Sequence, residues 1–536
     1  MRLTPSRSKS KVSARLTNKL SSLRAVSFPL VCAAGLVVVG ILDSVHQNQR
    51  LRWSIVVAAG VLALWSAVLF ASAKRSGRIL IVEIVVRRQH YLQACAQGSV
   101  LLYWGWYWRE VYRSIDLIAA QLLFAYGFEM LLAWSRRDTY TLGFGPFPVV
   151  FSINLFLWFK PDWFYLQFLM VATGFAAKDL IRWDKEGRHV HIFNPSSFPL
   201  AIFSIALILT GASDLTWGQN IASTQFYPPH MYAMLFLVGL PGQFFFGVTS
   251  MTLSAVAATY VFSLLYFAVT GVYFFYDSYI PIAVFLGMHL LFTDPSTAPG
   301  TELGRVIFGA LYGLSTVALY ALLGRAGLPT FYDKLLQVPA LNLSIKLIDR
   351  AARSTFLRAL DPAVFGRLLA PRRRHLAYIA IWTIVFAGMS AAGGVGDDHP
   401  GQWLPFWQQA CEANRQRACS YLGNVEAGFC ASGSGWACNE LGIMQAQRDA
   451  DYAGSAKSIQ RGCALGFSLA CVNGHAIDGD GALKSAPPTL ADLPIVLRGS
   501  KGPILNQSPS ALYALACREG WPNTCGQRKD YGLTPR

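Results

Sequence analysis

Residues 290–305 read LLFTDPSTAPGTELGR, a polar phrase set between the apolar runs YIPIAVFLGMHLLF (279–292) and VIFGALYGLSTVALYALL (306–323). Asp is a good helix N-cap and Pro is favoured at the first helical position. The phrase therefore reads as the N-terminal end of a buried helix, with Asp294 as cap and Pro295 in the first turn. A counterpart stands at FNPSSFPLAIFSIALILTG (193–211), where Asn194, Pro195, Ser196 and Ser197 match Asp294, Pro295, Ser296 and Thr297. The two prolines are 295 − 195 = 100 residues apart, an interval that fits two halves of an internal repeat. Helices that begin inside a membrane turn their positive ends toward an anion, and their free N–H groups and hydroxyls suit phosphate or carboxylate. The competing reading is that both phrases cap helices at the membrane surface. Glu302 and Arg305, at i and i+3, are placed to pair on one helix face.

The composition supports membrane depth. Of the 536 residues, 53% are hydrophobic and 14% charged, against about 25% charged in ordinary globular domains. A bilayer crossing needs roughly 20 apolar residues. Candidate segments lie near 27–43, 53–73, 91–108, 116–134, 145–159, 162–178, 197–212, 229–247, 250–275, 279–293, 305–323 and 376–393. At least one of them is expected to be re-entrant or broken, and the 290–305 phrase marks the first suspect. The net charge of +17 is not a nucleic-acid signal. Its Lys and Arg cluster beside apolar segments, in KRSGR (74–78), SRRD (135–138) and KDLIRWDKEGR (178–188), as the positive-inside rule expects of cytoplasmic loops.

The chain divides by composition. Residues 1–26 carry seven basic and no acidic residues and read as a disordered cytoplasmic tail. Residues 27–325 form the polytopic core. Residues 326–375 are basic and amphipathic, and read as interfacial helices on the cytoplasmic face. A final span at 376–394 leads into a polar domain, 395–536.

That last domain holds eight of the ten cysteines, in four pairs of spacing C-x7-C: Cys411 and Cys419, Cys430 and Cys438, Cys463 and Cys471, Cys517 and Cys525. Eight residues of straight helix would part the two Cα atoms by about 12 Å, and a disulfide needs roughly 4.4–6.8 Å. Bridged pairs thus require the chain to reverse between them. Zinc is the rival reading, but its ligands favour C-x2-4-C. Disulfides imply an oxidising compartment, which puts this domain outside the cytoplasm. The remaining Cys32 and Cys95 read as packing residues.

The phrases ACSYLG (418–423) and ACNELG (437–442), with the C-x7-C pairs, resemble the cysteine-rich Sel-like (tetratricopeptide-like) repeat family. That resemblance implies αα-hairpins clipped by the bridges, and a surface for a protein partner. The NPSS phrase and FTDPSTAP…GR-x-x-FG resemble the RnfD/NqrB family of membrane electron-transport subunits, and the related UnbU type, over residues ~90–325. This likeness implies an all-α fold: a polytopic helical bundle with two inverted halves and broken helices, holding flavin near the breaks. By the same likeness Asn194, Pro195, Ser196, Ser197, Asp294, Pro295, Ser296, Thr297 and Arg305 become cofactor-site positions. Redox members attach FMN to the Thr of an S-G-A-T phrase, which this sequence lacks. Non-covalent FMN or riboflavin is the expected cofactor. Thr249, Thr252 and Thr259, in the nearest text, read as helix packing.

Other candidates carry weaker readings. His189 and His191 read as interfacial side chains, His289 as hydrogen-bonded packing, and His399 and His475 as surface residues. YWGWYWREVY (103–112) and FLWFKPDWFY (156–165) fit an aromatic belt. No Walker loop, nucleophile elbow or Rossmann fingerprint occurs. The expectation is a multi-pass protein of the bacterial inner membrane, an electron-transport subunit rather than a stand-alone enzyme. Its expected partners are membrane lipid and a periplasmic or membrane protein, with no nucleic acid. A small-solute transporter on the same fold and a membrane-anchored scaffold are the alternatives.

Overall fold

The computed structural model describes residues 16–20, 22–476 and Ala514, apart from residues 186, 227, 276–277, 366–368, 397–398, 403, 416 and 432. The fold is all-α, with a few short strands. The chain forms two compact units, residues 1–259 with 282–387, and residues 260–281 with 388–536.

Among the described residues, five helices are long and apolar enough to cross a membrane: Gln49–Ser76, Ile115–Arg136, Thr249–Thr270, Glu302–Arg325 and Arg372–Ala391. The first shows how sequence sets the ends. Its cap Asn48 accepts from the Leu51 N–H, and Gly77 closes it with φ 64°, a conformation that glycine adopts without penalty. At about 1.5 Å per residue its 28 residues exceed a hydrocarbon core of about 30 Å. It packs with Ser22–Ile41 and Ile115–Arg136. At the crossing, a Cβ on Gly127 would lie 2.8 Å from a Leu62 methyl and 3.4 Å from Cys32 Cβ, so a larger residue there would make the Leu62 side chain shift. Other apolar helices are shorter: Ala25–Ile41, Ser197–Thr210, Met231–Phe246 and Ile282–Leu291.

Two expectations are corrected here. Residues 1–26 are not uniformly a disordered tail. Leu16–Leu20 pairs antiparallel with Leu80–Ile84, which pairs parallel with Thr139–Leu142, and a helix starts at Ser22. The second correction concerns the opening phrase. Ile282–Leu286 passes into a π-helical turn, Gly287–Leu291, and Asp294 caps a single 3-10 turn, Pro295–Thr297. The long helix starts later, at Glu302, capped by Thr301. Pro299 disfavours an earlier start: it has no N–H to donate to the Pro295 carbonyl, which weakens a helix begun at Pro295. Glu302 and Arg305 do pair, at 2.8 Å.

The 326–375 connection contains the amphipathic helix expected of it. Its helix Val338–Ala352 packs on Glu302–Arg325 and Ser197–Thr210, burying Val338, Asn342, Ile345, Ile348, Asp349 and Ala352.

In the second unit the helices Leu404–Glu412, Ala418–Ala431, Gly435–Gln447, Tyr452–Ala464 and Ser468–Gly474 follow one another through tight turns. The bridges Cys411–Cys419, Cys430–Cys438 and Cys463–Cys471 each clip two consecutive helices, with Cα–Cα distances of 4.5, 4.6 and 4.5 Å. The chain reverses between each pair, as the geometry requires. Cys517 and Cys525 lie outside the described residues. Trp407, Trp436 and Phe467 fill the core. Residues 260–281 join the same unit: Arg415 donates to the Gly271 carbonyl at 2.6 Å and Tyr421 to that of Phe274 at 3.1 Å.

Candidate functional site

The two N/D-P-S phrases come together. Asn194, Pro195 and Ser196 face Asp294, Pro295 and Ser296 across one cleft of about 310 Å³. The sequence separates them by a hundred residues, and two sets of contacts close the gap. The Asn194 side chain accepts from the Ser196 and Ser197 N–H groups at 3.0 and 3.2 Å, and donates to the Leu291 carbonyl at 2.8 Å. It thereby caps Ser197–Thr210 and binds it to the π-turn before Asp294. Asn342 then ties both phrases to Val338–Ala352. Its carbonyl accepts from the Asn194 N–H at 3.1 Å, and its amide donates to the Thr297 carbonyl at 3.3 Å. On the same helix Asp349 accepts from the Gly300 N–H, the Thr301 N–H and the Thr301 hydroxyl, at 2.9, 3.0 and 2.8 Å.

The walls of the cleft are basic. Arg87, Lys178 and Arg182 line it together with His90, His189 and His191, and Asp294 is its one carboxylate among the lining residues. His191 Nε2 lies 3.2 Å from Asp294 Oδ2, and the Ser296 N–H donates to Asp294 Oδ1 at 3.0 Å. Burial by itself would raise the Asp294 carboxyl. The hydrogen bond and charge of His191, the Ser296 N–H and the charge of His90 outweigh it, and the group sits below its usual range. His90 goes the other way for a base. Burial first, then the positive charges of Lys178 and Arg87, bring it down to about 4, so its imidazole is neutral at pH 7. Gly145 separates the His90 ring from the Lys178 ammonium: a Cβ there would stand 3.6 and 3.9 Å from the two. Lys178 is oriented by Glu129 at 2.8 Å, and Glu129 also accepts from Tyr140 at 3.3 Å.

Not every expected position belongs to the cleft. Ser197, Thr297 and Arg305 do not line it. Ser197 is fully buried under the cap, and Thr297 packs beneath the 3-10 turn. Arg305 turns away, donating to the Pro299 and Gly247 carbonyls at 3.1 and 2.8 Å as well as to Glu302. Conversely, His191 is a site residue rather than a plain interfacial one, while His189 pairs with Asp184 at 3.3 Å. Lys178 and Arg182 lie in a stretch that the sequence reads only as a topology signal, and Arg87 lies in none of the basic stretches singled out there. Asn342 and Asp349 had a usable signal, being polar residues on the buried face of an amphipathic helix.

The remaining candidates resolve as follows. His289 Nδ1 donates to the Phe285 carbonyl at 2.8 Å, and its Nε2 is buried without a partner, as are both amide atoms of Gln243. A Cβ on Gly239 would touch both side chains. His399 is buried, not a surface residue. It lies between the Tyr273 and Tyr279 rings, and burial lowers it to about 3. Trp104 and Trp158 belong to a buried aromatic stack with Trp108, so the two aromatic phrases are partly core and only partly belt. Thr249, Thr252 and Thr259 are fully buried in their helix. Cys32 and Cys95 carry free thiols, and Cys95 is exposed rather than packed. No group of three or more metal-ligating side chains occurs among the described residues.

No family model matches this chain, and no curated protein and no solved structure matches it.

Proposed function

We propose that this chain is a multi-pass membrane protein whose core binds a phosphate-bearing cofactor, a non-covalent flavin, between two broken helices and takes part in membrane electron transfer. The observation that carries the reading is the convergence of Asn194-Pro195-Ser196 and Asp294-Pro295-Ser296 on one basic cleft. The N–H groups of both turns are taken up within the protein, so the attraction for an anion comes from the converging cations. Arg87, Lys178 and Arg182 would hold a phosphate, and the apolar faces of Pro148, Val149 and Val190 suit the side of a flat ring. The cleft volume falls at the small end of the range for cofactor sites, about 300–1,000 Å³. A bound flavin would supply one- and two-electron transfer. The chain's own part is to hold the phosphate on Arg87, Lys178 and Arg182, to keep His90 neutral beside it, and to position His191 through Asp294.

The likeness to RnfD/NqrB subunits supports the flavin and the two inverted halves, with the five long apolar helices among the crossings. The Sel-like repeat reading supports a periplasmic second unit that docks a protein partner. Its three disulfides call for an oxidising compartment, and the basic loops for a cytoplasmic cleft face of the inner membrane. The test is the absorbance of the purified protein, followed by titration with FMN and with riboflavin. FMN should bind more tightly than riboflavin. Replacing Lys178 and Arg182 by Met should erase that difference while leaving riboflavin binding intact. A protein that carries no flavin and binds neither form saturably would refute the proposal.

A further inference from the structure

Beside the cleft, a second cavity of about 350 Å³ is lined by Asp184, Lys185, Lys346, Asp349, Arg350 and Arg353. Both carboxylates already have partners. Asp349 holds Gly300 and Thr301, and Asp184 holds His189. The lining still carries four cations against two carboxylates, and the groove is net positive. Lys346 is positioned over the Trp183 indole, 4.6 Å from its centroid, a placement that fixes the ammonium without neutralising it. Lys185 bonds the Ala298 carbonyl, which draws the strand Arg182–Lys185 toward the loop that follows the 3-10 turn.

The helix Val338–Ala352 shows what lies alongside. At 100° per residue its surface divides into three stripes. Val338, Asn342, Ile345, Ile348, Asp349 and Ala352 face the protein. Lys346, Arg350 and Arg353 form the next edge, and Leu343 and Leu347 the one beyond. Leu343 and Leu347 are exposed, as are Phe356 and Leu360 just after the helix, Phe356 at 84%. A soluble anion has no use for an apolar rim. A phospholipid does, because its acyl chains cover such side chains while its phosphate meets the cations at headgroup depth.

We infer that the groove formed by Lys185, Lys346, Arg350 and Arg353 with Trp183 binds the phosphate headgroup of an anionic membrane lipid. The inference rests on the chain lying in a membrane and not on the identity of any cofactor. It has a structural consequence. The helix that carries the lipid-facing cations also carries Asn342 and Asp349, which hold both N/D-P-S turns. Lipid binding at the groove thus stabilises the frame of the cleft.

The test uses the full chain in nanodiscs of phosphatidylcholine, alone or with phosphatidylglycerol, and native mass spectrometry of the detergent-solubilised protein. Phosphatidylglycerol should be retained saturably and raise the thermal midpoint. At about 1 kcal/mol per cation near a lipid surface, the double variant Lys346→Ala with Arg350→Ala should bind it about 30-fold more weakly. The exchange of Lys346→Arg with Arg350→Lys should restore binding, and Arg113→Ala, at an exposed cation remote in sequence from the groove, should change nothing. Retention that is equal for phosphatidylcholine, unaffected by the double variant, or competed by inorganic phosphate overturns the proposal. A chain that a carbonate wash releases from membranes would instead sink the membrane reading beneath it.

Discussion

Asp349→Ala should cost far more than a surface substitution on an amphipathic helix. The carboxylate is buried and accepts three hydrogen bonds, from the Gly300 N–H, the Thr301 N–H and the Thr301 hydroxyl. Hydrogen bonds to a charged acceptor contribute about 1.5–3 kcal/mol each. Two of these share Oδ1, and both Thr301 groups belong to one residue, so the three do not add in full. Leaving a buried donor unsatisfied costs about 1–3 kcal/mol, and with two N–H groups and a hydroxyl left without this partner about 3–4 kcal/mol is expected here. The loss falls on a defined place. Thr301 caps Glu302–Arg325 through its hydroxyl, which accepts from the Gly304 N–H at 3.1 Å, and freeing it frays the helix start. Asp349→Asn keeps an oxygen for Thr301 but turns a donor toward Gly300, so roughly half the loss should remain. Reversible unfolding in mixed micelles of rising dodecyl sulfate content measures both. A change below about 1 kcal/mol for Ala, or Asn as damaging as Ala, would show that the loop is held by something other than Asp349.

Asn194→Ala removes the cap of Ser197–Thr210 and the bond to Leu291 together, and should lower stability by about 2–3 kcal/mol in the same assay; a neutral result would remove Asn194 from the frame of the cleft. Gln243→Leu should stabilise the protein by about 1 kcal/mol, because neither amide atom has a partner; a lower unfolding midpoint would mean that the amide is satisfied in the membrane. Glu426 is buried, and burial followed by the nearby Glu440 raises its carboxyl well above the usual range. The native state therefore keeps a proton that the unfolded chain gives up near its ordinary value, so this residue's contribution is greatest in acid and falls as pH rises through the interval between the two. Glu426→Gln should flatten that decline, read by thermal unfolding between pH 5 and pH 8, and an unchanged slope would count against a buried neutral carboxyl.

How much of this was legible in the sequence depended on the range of the interaction. The C-x7-C pairs were readable because the constraint is local: eight residues and a bond length leave the chain no course but to reverse. The likeness of the 194 and 294 phrases was readable too, but not their meeting. That depends on Asn194 reaching the Leu291 carbonyl and on Asn342, 148 residues along the chain, binding both. No periodicity carries such a partner. The opening phrase was misread in register because a cap and a proline were scored locally. Pro299 four residues on, which withholds an N–H from the Pro295 carbonyl, lies outside that local pattern. Lys178 and Arg182 read as topology signals, since Lys and Arg beside an apolar segment look the same whether they mark a leaflet or line a site, and Arg87 carries no signal of its own.

The two phrases look alike and do different work, and the difference lies in one atom. At 194 the side chain must donate as well as accept, because the Leu291 carbonyl faces it at 2.8 Å while the Ser196 and Ser197 N–H groups face its oxygen. An amide satisfies both. A carboxylate there would set an anion against a carbonyl in a buried place, with no cation paired to it. At 294 the demand is reversed: the Ser296 N–H meets one oxygen and His191 the other, and both are served by an acceptor that can carry charge. The Asn holds the frame, and the Asp meets the cleft. The two phrases thus differ in work: Asn194 ties the start of Ser197–Thr210 to the π-turn, and Asp294 pairs with His191 at the cleft.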